Sequence, residues 1–380
     1  MMRSFEMMMM HHKGLCTNEP HDRKEHTLSY PWSSKRALVT GGASFIGSTL
    51  VDALLDRGAT VRVVDDFSSG SEANISAPLA SGAIELLKGD LRDPDLAQRA
   101  VEGVDVIFHL AADHGGRGYV DLHQYECSTN FGLDAGLFGA ALRAEVETVV
   151  FASSGCIYPL NIQGDPGETL YLTEDMAGPP YDPDGTYGLA KLAGELTLRA
   201  LHEERGMNTA SVRYFTVYGP RGVENHAVIA MIARAFLRQD PFLVWGTGEQ
   251  IRNWTYVDDI VEGTILAAEK IRDGSAINLG TMERVKVMDA VRMVTEMAGY
   301  APEIVTQPDM PTGPYNRVAD NSLAGELLGW EPRTMFADGL KNTFEWYFSS
   351  KDPEQVRSIF DHMLTGRGTT AAAAAATAKL

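Results

Sequence analysis

From Arg36 onward, short apolar runs alternate with amphipathic stretches. RALVT at Arg36–Thr40 is followed by a helical pattern over Ser48–Asp56, then by VRVVDD, a loop and IELLKGD. A second helical pattern near Asp95–Val101 leads into VDVIFHLAA. Helical stretches over His123–Glu145 and Tyr187–Arg205 precede the strands TVVFASS and TASVRYF. Continuous apolar strands separated by helices predict an α/β fold, a doubly wound parallel sheet with helices on both faces. After Pro220 the texture changes to an apolar helix, VIAMIARAF, a Gly-rich turn, WGTGEQIRNWTYVDD, the helix Ile260–Ile271 and the strand AINLG. A helix near Val287–Met297, the Pro-rich QPDMPTGPYN and a last helix around Phe336–Phe348 complete the pattern, which predicts a smaller α/β substrate-binding lobe. The expected organisation is a flexible leader over 1–34, a dinucleotide-binding domain over 35–213 with 252–281 returning to it, a substrate-binding lobe over 214–350, and a tail over 351–380.

Composition narrows the function classes. A net charge of −18 over 380 residues excludes a surface built to neutralise a nucleic-acid backbone. Cys16, Cys127 and Cys156 form no CxxC pair, so neither a zinc site nor a disulfide framework is expected, and no metal. A reducing, cytoplasmic setting fits. Glu6, His11, His12 and Lys13 interrupt the opening segment, which lacks the apolar run of a signal peptide or membrane span. The C-terminal TTAAAAAATAKL carries no functional signal.

The strand RALVT runs into Gly41-Gly42-Ala43-Ser44-Phe45-Ile46-Gly47, and a helix opens beyond it. Glycines at such a turn let the backbone approach a pyrophosphate, which rests on the helix N-terminus. Asp65, about 20 residues on, ends the next strand, where a carboxylate accepts hydrogen bonds from adenosine ribose hydroxyls and repels a 2'-phosphate. NAD is therefore the expected cofactor, with Asp66 and Ser68 flanking the ribose. Asp90 and Leu91 are placed beside the adenine, and Leu110, Ala111 and Ala112 beside the nicotinamide half. The usual TGxxGxxG turn has Gly where this chain has Ser44.

With these pieces in order, residues 36–348 resemble the extended short-chain dehydrogenase/reductase family of nucleotide-sugar enzymes, whose fold is Rossmann-type. Tyr187 and Lys191 lie one helical turn apart on one face, so the ammonium can sit near both the phenol and a cofactor ribose. Such a cation, with the positive nicotinamide, lowers a phenol's pKa and makes it a usable base. In the family pattern Ser154 binds the same substrate oxygen, and Asn130 is the structural asparagine of the central helix. The resemblance implies oxidation at sugar C4, with Tyr187 taking the hydroxyl proton while hydride passes to NAD.

The fate of the 4-ketone depends on the residues after Ser154. Ser154-Gly155-Cys156-Ile157-Tyr158-Pro159 is similar to the S-x-C-I-Y-P segment of the GDP-mannose 3,5-epimerase and GDP-fucose synthase branches, in which the Cys serves epimerisation. A thiol beside a 4-ketone can move a proton at C3 or C5; the alternative for Cys156 is a small buried hydrophobe. The loop Ala111–Val120 is similar to the glycine-rich substrate loop of the GDP-mannose branch, so Gly115 and Gly116 are expected to let backbone approach the sugar and Arg117 to meet a hydroxyl or phosphate. The lysine that this branch carries after its YGP motif is missing, and His226 is the candidate opposing acid, or else a loop histidine. By the same resemblance Arg252 and Arg317 bind the diphosphate, Thr216 stands where relatives carry Asn, and Trp245 flanks the base or packs in the core. Asp258 and Asp259 are expected to cap the following helix. The implied function is a nucleotide-diphosphate-sugar epimerase, GDP-sugar favoured, that pairs as a homodimer through helices 123–145 and 187–205. The alternatives are an NDP-sugar 4-epimerase of UDP-glucose or UDP-glucuronate type and a non-catalytic NAD-binding protein.

Overall fold

A computed structural model describes residues 30–165 and 167–363. The described residues form a seven-stranded parallel sheet. Its first six strands in the chain are β1 (Arg36–Thr40), β2 (Thr60–Asp65), β3 (Ile84–Lys88), β4 (Val106–His109), β5 (Thr148–Ser154) and β6 (Asn208–Tyr214). Ala276–Leu279 returns from late in the chain and pairs with β6, giving the spatial order Ala276–Leu279, β6, β5, β4, β1, β2, β3. β1, β4 and β5 are buried along nearly their whole length, as expected of central strands with helices over both faces of the sheet. The order reverses between β1 and β4, and the crevice at such a switch point is where open α/β sheets bind ligands.

The helices of this part are α1 (Phe45–Asp56), α2 (Glu72–Ala80), α3 (Pro94–Val101), α4 (Arg117–Leu122), α5 (Gln124–Ser128), α6 (Asn130–Arg143) and α7 (Gly185–Arg205). Local chemistry sets several ends. The Asp93 carboxylate caps α3 by accepting from Asp95 N, with Pro94 at the first helical position. Gly206 closes α7 at φ 70°. Three elements differ from the sequence reading. α2 replaces the expected loop, and it was hidden because it buries only Ile75 and carries Pro78. α4 forms within the expected glycine-rich loop. The helix expected over His123–Glu145 is divided at Thr129, whose hydroxyl donates to the Glu126 carbonyl.

The smaller lobe gathers α8 (Ala227–Phe236), α10 (Val287–Met297), α12 (Phe336–Ser350) and α13 (Pro353–Met363) with short strands, while α9 (Val257–Lys270) and α11 (Ser322–Leu328) lie against the large sheet. Of the last two, α9 packs on α1. Around Ile251–Arg252, Asn316–Arg317 pairs in parallel and Val285–Lys286 antiparallel. A second core forms from Trp254, Phe242, Phe336, Leu340 and the apolar face of α8. The Asp259 carboxylate accepts from Arg333 N and Thr334 N, so it ties down the segment before α12 and does not cap its own helix.

Both expected termini begin too far inward. Trp32, assigned to the leader, is 4% exposed and donates its indole N–H to Glu269 at 2.6 Å. Residues 353–363, assigned to the tail, are helical, and Val356 and Phe360 enter the second core. A single turn-forming tryptophan and one short amphipathic helix carry little periodic signal, and burial against distant elements orders them. The remainder of the expected leader and tail, residues 1–29 and 364–380, lies outside the described residues. Because Phe360 is 2% exposed, with the Arg234 guanidinium 4.9 Å above its ring, Phe360→Ala is expected to cost about 3–5 kcal/mol. Urea unfolding checks this; a change under about 0.5 kcal/mol, the surface-substitution range, would show α13 to be undocked.

Candidate active site

A cavity of about 400 Å³ opens between the C-terminal ends of the sheet strands and the smaller lobe. A second of about 60 Å³ adjoins it over the β1–α1 turn. Gly41 stands at φ 68°, and a Cβ there would come within 3.1 Å of Ala111 N. At Gly47 a Cβ would lie 2.1 Å from Gly41 O, so the turn and helix touch as backbone. Ser44 has φ −83°, a conformation open to any residue, which explains how the turn accepts a side chain where relatives have Gly. Its hydroxyl donates to Gly41 O at 2.5 Å.

The Asp65 carboxylate accepts from Ala43 N at 2.9 Å and Phe67 N at 2.8 Å. Asp66 accepts from the backbone and hydroxyl of Ser68. Asp90, paired with Arg92, and buried Leu91 line the small cavity with Asp65, Asp66 and Ser68. Leu110, Ala111 and Ala112 form its inner wall, while Phe45 and Ile46 face the large cavity. This cradle, closed to any Cβ at Gly47 and bordered by the Asp65 carboxylate, fits a dinucleotide.

Tyr187, Lys191, Ser154 and Cys156 all line the large cavity. Lys191 is 1% exposed, and its ammonium lies 4.5 Å from the Phe151 ring centre and 5.9 Å from that of Tyr187. Burial lowers its pKa, and the Asp134 carboxylate opposes that. Burial pushes the Tyr187 phenol far up; the Cys156 and Cys127 sulfurs add to this, and a hydrogen bond to Ser154 works against it. Among the chain's own groups, therefore, Lys191 does not suffice to lower the phenol as the sequence reading expected. The Ser154 hydroxyl oxygen accepts from Cys156 N at 3.1 Å. Ser153 points the other way and donates to Glu195. Beside Tyr187, a Cβ on Gly188 would fall 2.3 Å from Cys156 O, so the reactive turn seats directly on α7.

The substrate side is dominated by arginine. Strand register sets Arg317 beside Arg252. Arg252 is held by its own Nη1 on Ile251 O and Nη2 on Thr312 O. Burial, then the guanidiniums of Arg317 and Arg117, push it down to about 9. Asp184, 3% exposed at the start of α7, accepts from Arg117 at 2.6 Å and Arg317 at 3.0 Å. Burial would raise its carboxyl, but Arg317 and Arg117 hold it below the ordinary range. Arg317 also donates to Cys156 Sγ at 3.3 Å. Arg117, Arg252 and Arg317 outnumber the two carboxylates among them, Asp184 and Asp121, and leave a net positive cluster that a diphosphate would complete. Thr216 and Trp245 line the same cavity.

Three assignments change. Gly115 and Gly116 are small because protein occupies the space a Cβ would need: 2.6 Å from Tyr119 and 1.6 Å from Asn225 O. Arg117 is already paired with Asp121 and Asp184, so it meets a substrate as part of a network. His226 lines the cavity, but burial pushes it down to about 4, so at neutral pH it is not the ready acid expected of it. Its ring lies 6.2 Å from that of His114. Asp184 and Asp134 escaped the sequence reading. An acid three residues before Tyr187, and one inside the apolar pattern NFGLDAGLFGA, were the available signals.

The sequence profile of the NAD dependent epimerase/dehydratase family matches residues 37–280. The chain is 32% identical over 316 residues to UDP-glucose 4-epimerase of Mycolicibacterium smegmatis, covering 82% of this chain and 98% of that one. It is 29% identical over 340 residues to GDP-mannose 3,5-epimerase 1 of Oryza sativa subsp. japonica, covering 88% and 87%. The crystal structure of UDP-glucose 4-epimerase from Thermotoga maritima with UDP-glucose superposes with a TM-score of 0.74 at 30% identity, covering 83% of this chain and 99% of that chain.

Burial lowers the pKa of both His226 and His109 below the ordinary histidine value. The unfolded chain then binds more protons, so the stability these histidines contribute is present above about pH 6.5, and the His226 share is lost as pH falls toward 4. His226→Gln is expected to reduce the drop in Tm between pH 7 and 5; an unchanged drop would show that His226 titrates normally.

Proposed function

The chain belongs to the NAD-dependent epimerase/dehydratase family, and from that membership we propose that it epimerises a nucleotide-diphosphate sugar at C3 or C5 by way of a 4-ketone, with a GDP-sugar as substrate. NAD, when bound, accepts a hydride from the sugar and later returns it. The carrying observation is that the Cys156 thiol opens into the same cavity as Tyr187 and Ser154, with Arg317 donating to its sulfur.

On this reading Gly41, Gly47 and the start of α1 hold the cofactor pyrophosphate, Asp65 the adenosine ribose, and Lys191 the nicotinamide ribose. Arg252 and Arg317 hold the substrate diphosphate. Tyr187 accepts the C4 hydroxyl proton while Ser154 hydrogen-bonds the same oxygen, and both then hold the ketone. A carbon next to that ketone can release its proton, the electron pair passing to the oxygen that Tyr187 and Ser154 stabilise. Cys156 exchanges the proton on one face. His226, kept neutral by burial, enters as proton acceptor on the other, which reverses the role first expected of it.

A second reading, a UDP-sugar 4-epimerase, is favoured by the 32% identity across 98% of a UDP-glucose 4-epimerase. There the ketone turns over in the site and Cys156 is a bystander. Turnover of GDP-mannose in D2O separates the two. Deuterium at C3 or C5, lost in Cys156→Ala by about 100-fold or more in rate while bound NAD is still reduced, is the expected result. Inversion at C4 of UDP-glucose with no carbon-bound deuterium would establish the second reading instead.

We propose further that the protein is a cytoplasmic homodimer. Tyr125 is 78% exposed, Leu189 44% and Phe131 39%, and all three lie within the stretches 123–145 and 187–205 expected to pair. Light scattering should give twice the 41.4 kDa chain mass, and Tyr125→Glu should shift it toward the monomer; a monomeric parent protein would overturn this assignment.

A further inference from the structure

Under the Tyr187–Lys191 face lies a buried polar chain that the proposed reaction does not use. Thr40 Oγ1 accepts from Leu110 N at 3.1 Å and Ala111 N at 3.0 Å. With those lone pairs taken, its proton goes to His109 Nδ1 at 2.8 Å. The His109 proton therefore sits on Nε2, which donates to Asp134 Oδ1 at 3.0 Å. His109 is 0% exposed and Asp134 3%. Burial lowers the His109 pKa, so the ring is neutral and does not balance the carboxylate. Asp134 Oδ2 has no hydrogen-bond partner among the described residues. It faces α7 at Gly194, where a Cβ would come within 3.4 Å of it, one turn beyond Lys191.

We infer that Asp134 is a positioning residue, which His109 orients and whose charge keeps the buried Lys191 protonated beneath the cofactor. The other groups facing this region do not supply that charge. Glu195, the next acid on α7, is taken by Arg213 and Ser153. β5 presents Phe151 to the ammonium, and α3 contributes Leu96, Ala97 and Ala100 to the core shared with α6. Tyr187 and Cys156 lie toward the cavity, and Cys127 of α5 is a buried thiol. Of these groups, Asp134 is the one whose charge raises the Lys191 pKa.

The inference rests on the reading that Lys191 binds the cofactor ribose, so the test is NAD affinity against pH, which needs no sugar. Affinity should fall as Lys191 loses its proton. Asp134→Asn keeps an acceptor for His109 but removes the charge. It should move that fall to lower pH, so that between the two midpoints NAD binds about tenfold more weakly than to the parent protein. Asp134→Glu should restore the parental midpoint, and His109→Gln, whose amide N–H keeps a donor for Asp134, should leave the midpoint in place. An Asp134→Asn midpoint equal to the parent's, an equal shift in His109→Gln, or failure of both Asp134 variants to fold would assign Asp134 to structure alone. Unchanged NAD affinity in Lys191→Met would overturn the cofactor role of Lys191 and this inference with it.

Discussion

The arrangement turns on the Asp184 carboxylate. It stands at the start of α7, accepts from Arg117 across the mouth of the cavity and from Arg317 on the smaller lobe, and its own N–H donates to Cys156 O at 2.8 Å. One buried anion thereby brings together the helix carrying Tyr187 and Lys191, the turn carrying Cys156, and two of the three arginines. Removing such an anion would leave guanidiniums facing one another with nothing between them, and breaking a buried pair of this kind costs about 3–5 kcal/mol. The same pairing keeps Arg317 within reach of the Cys156 sulfur.

A second constraint is burial itself. The site places a lysine, an arginine, a histidine and the Asp184 carboxylate where water is scarce, and each responds in the direction that disfavours its isolated charge unless a partner intervenes. Arg252, among other cations, is pushed down; Asp184, between two guanidiniums, is held down as an anion; His226, with no such partner, is neutral. Tyr187 is pushed up by the same burial.

What the sequence alone determined was whatever depends on near neighbours in the chain. Alternating apolar runs specify the parallel sheet, the Gly41–Gly47 spacing specifies a backbone cradle, and the four-residue step from Tyr187 to Lys191 puts both on one helical face. Among the weakly periodic pieces, α13 and the turn at Trp32 were not legible because their order comes from packing on distant elements, and α2 because it buries only Ile75 and carries Pro78. The tertiary structure alone decided the pairings over long separations: Arg117 to Asp184 across 67 residues, Arg317 to Asp184 across 133, His109 to Asp134 across 25. It also decided the protonation of the groups so joined. A side chain's charge state is set by the solvent it has lost and the charges it has gained, and both are properties of the folded chain, which no local pattern encodes.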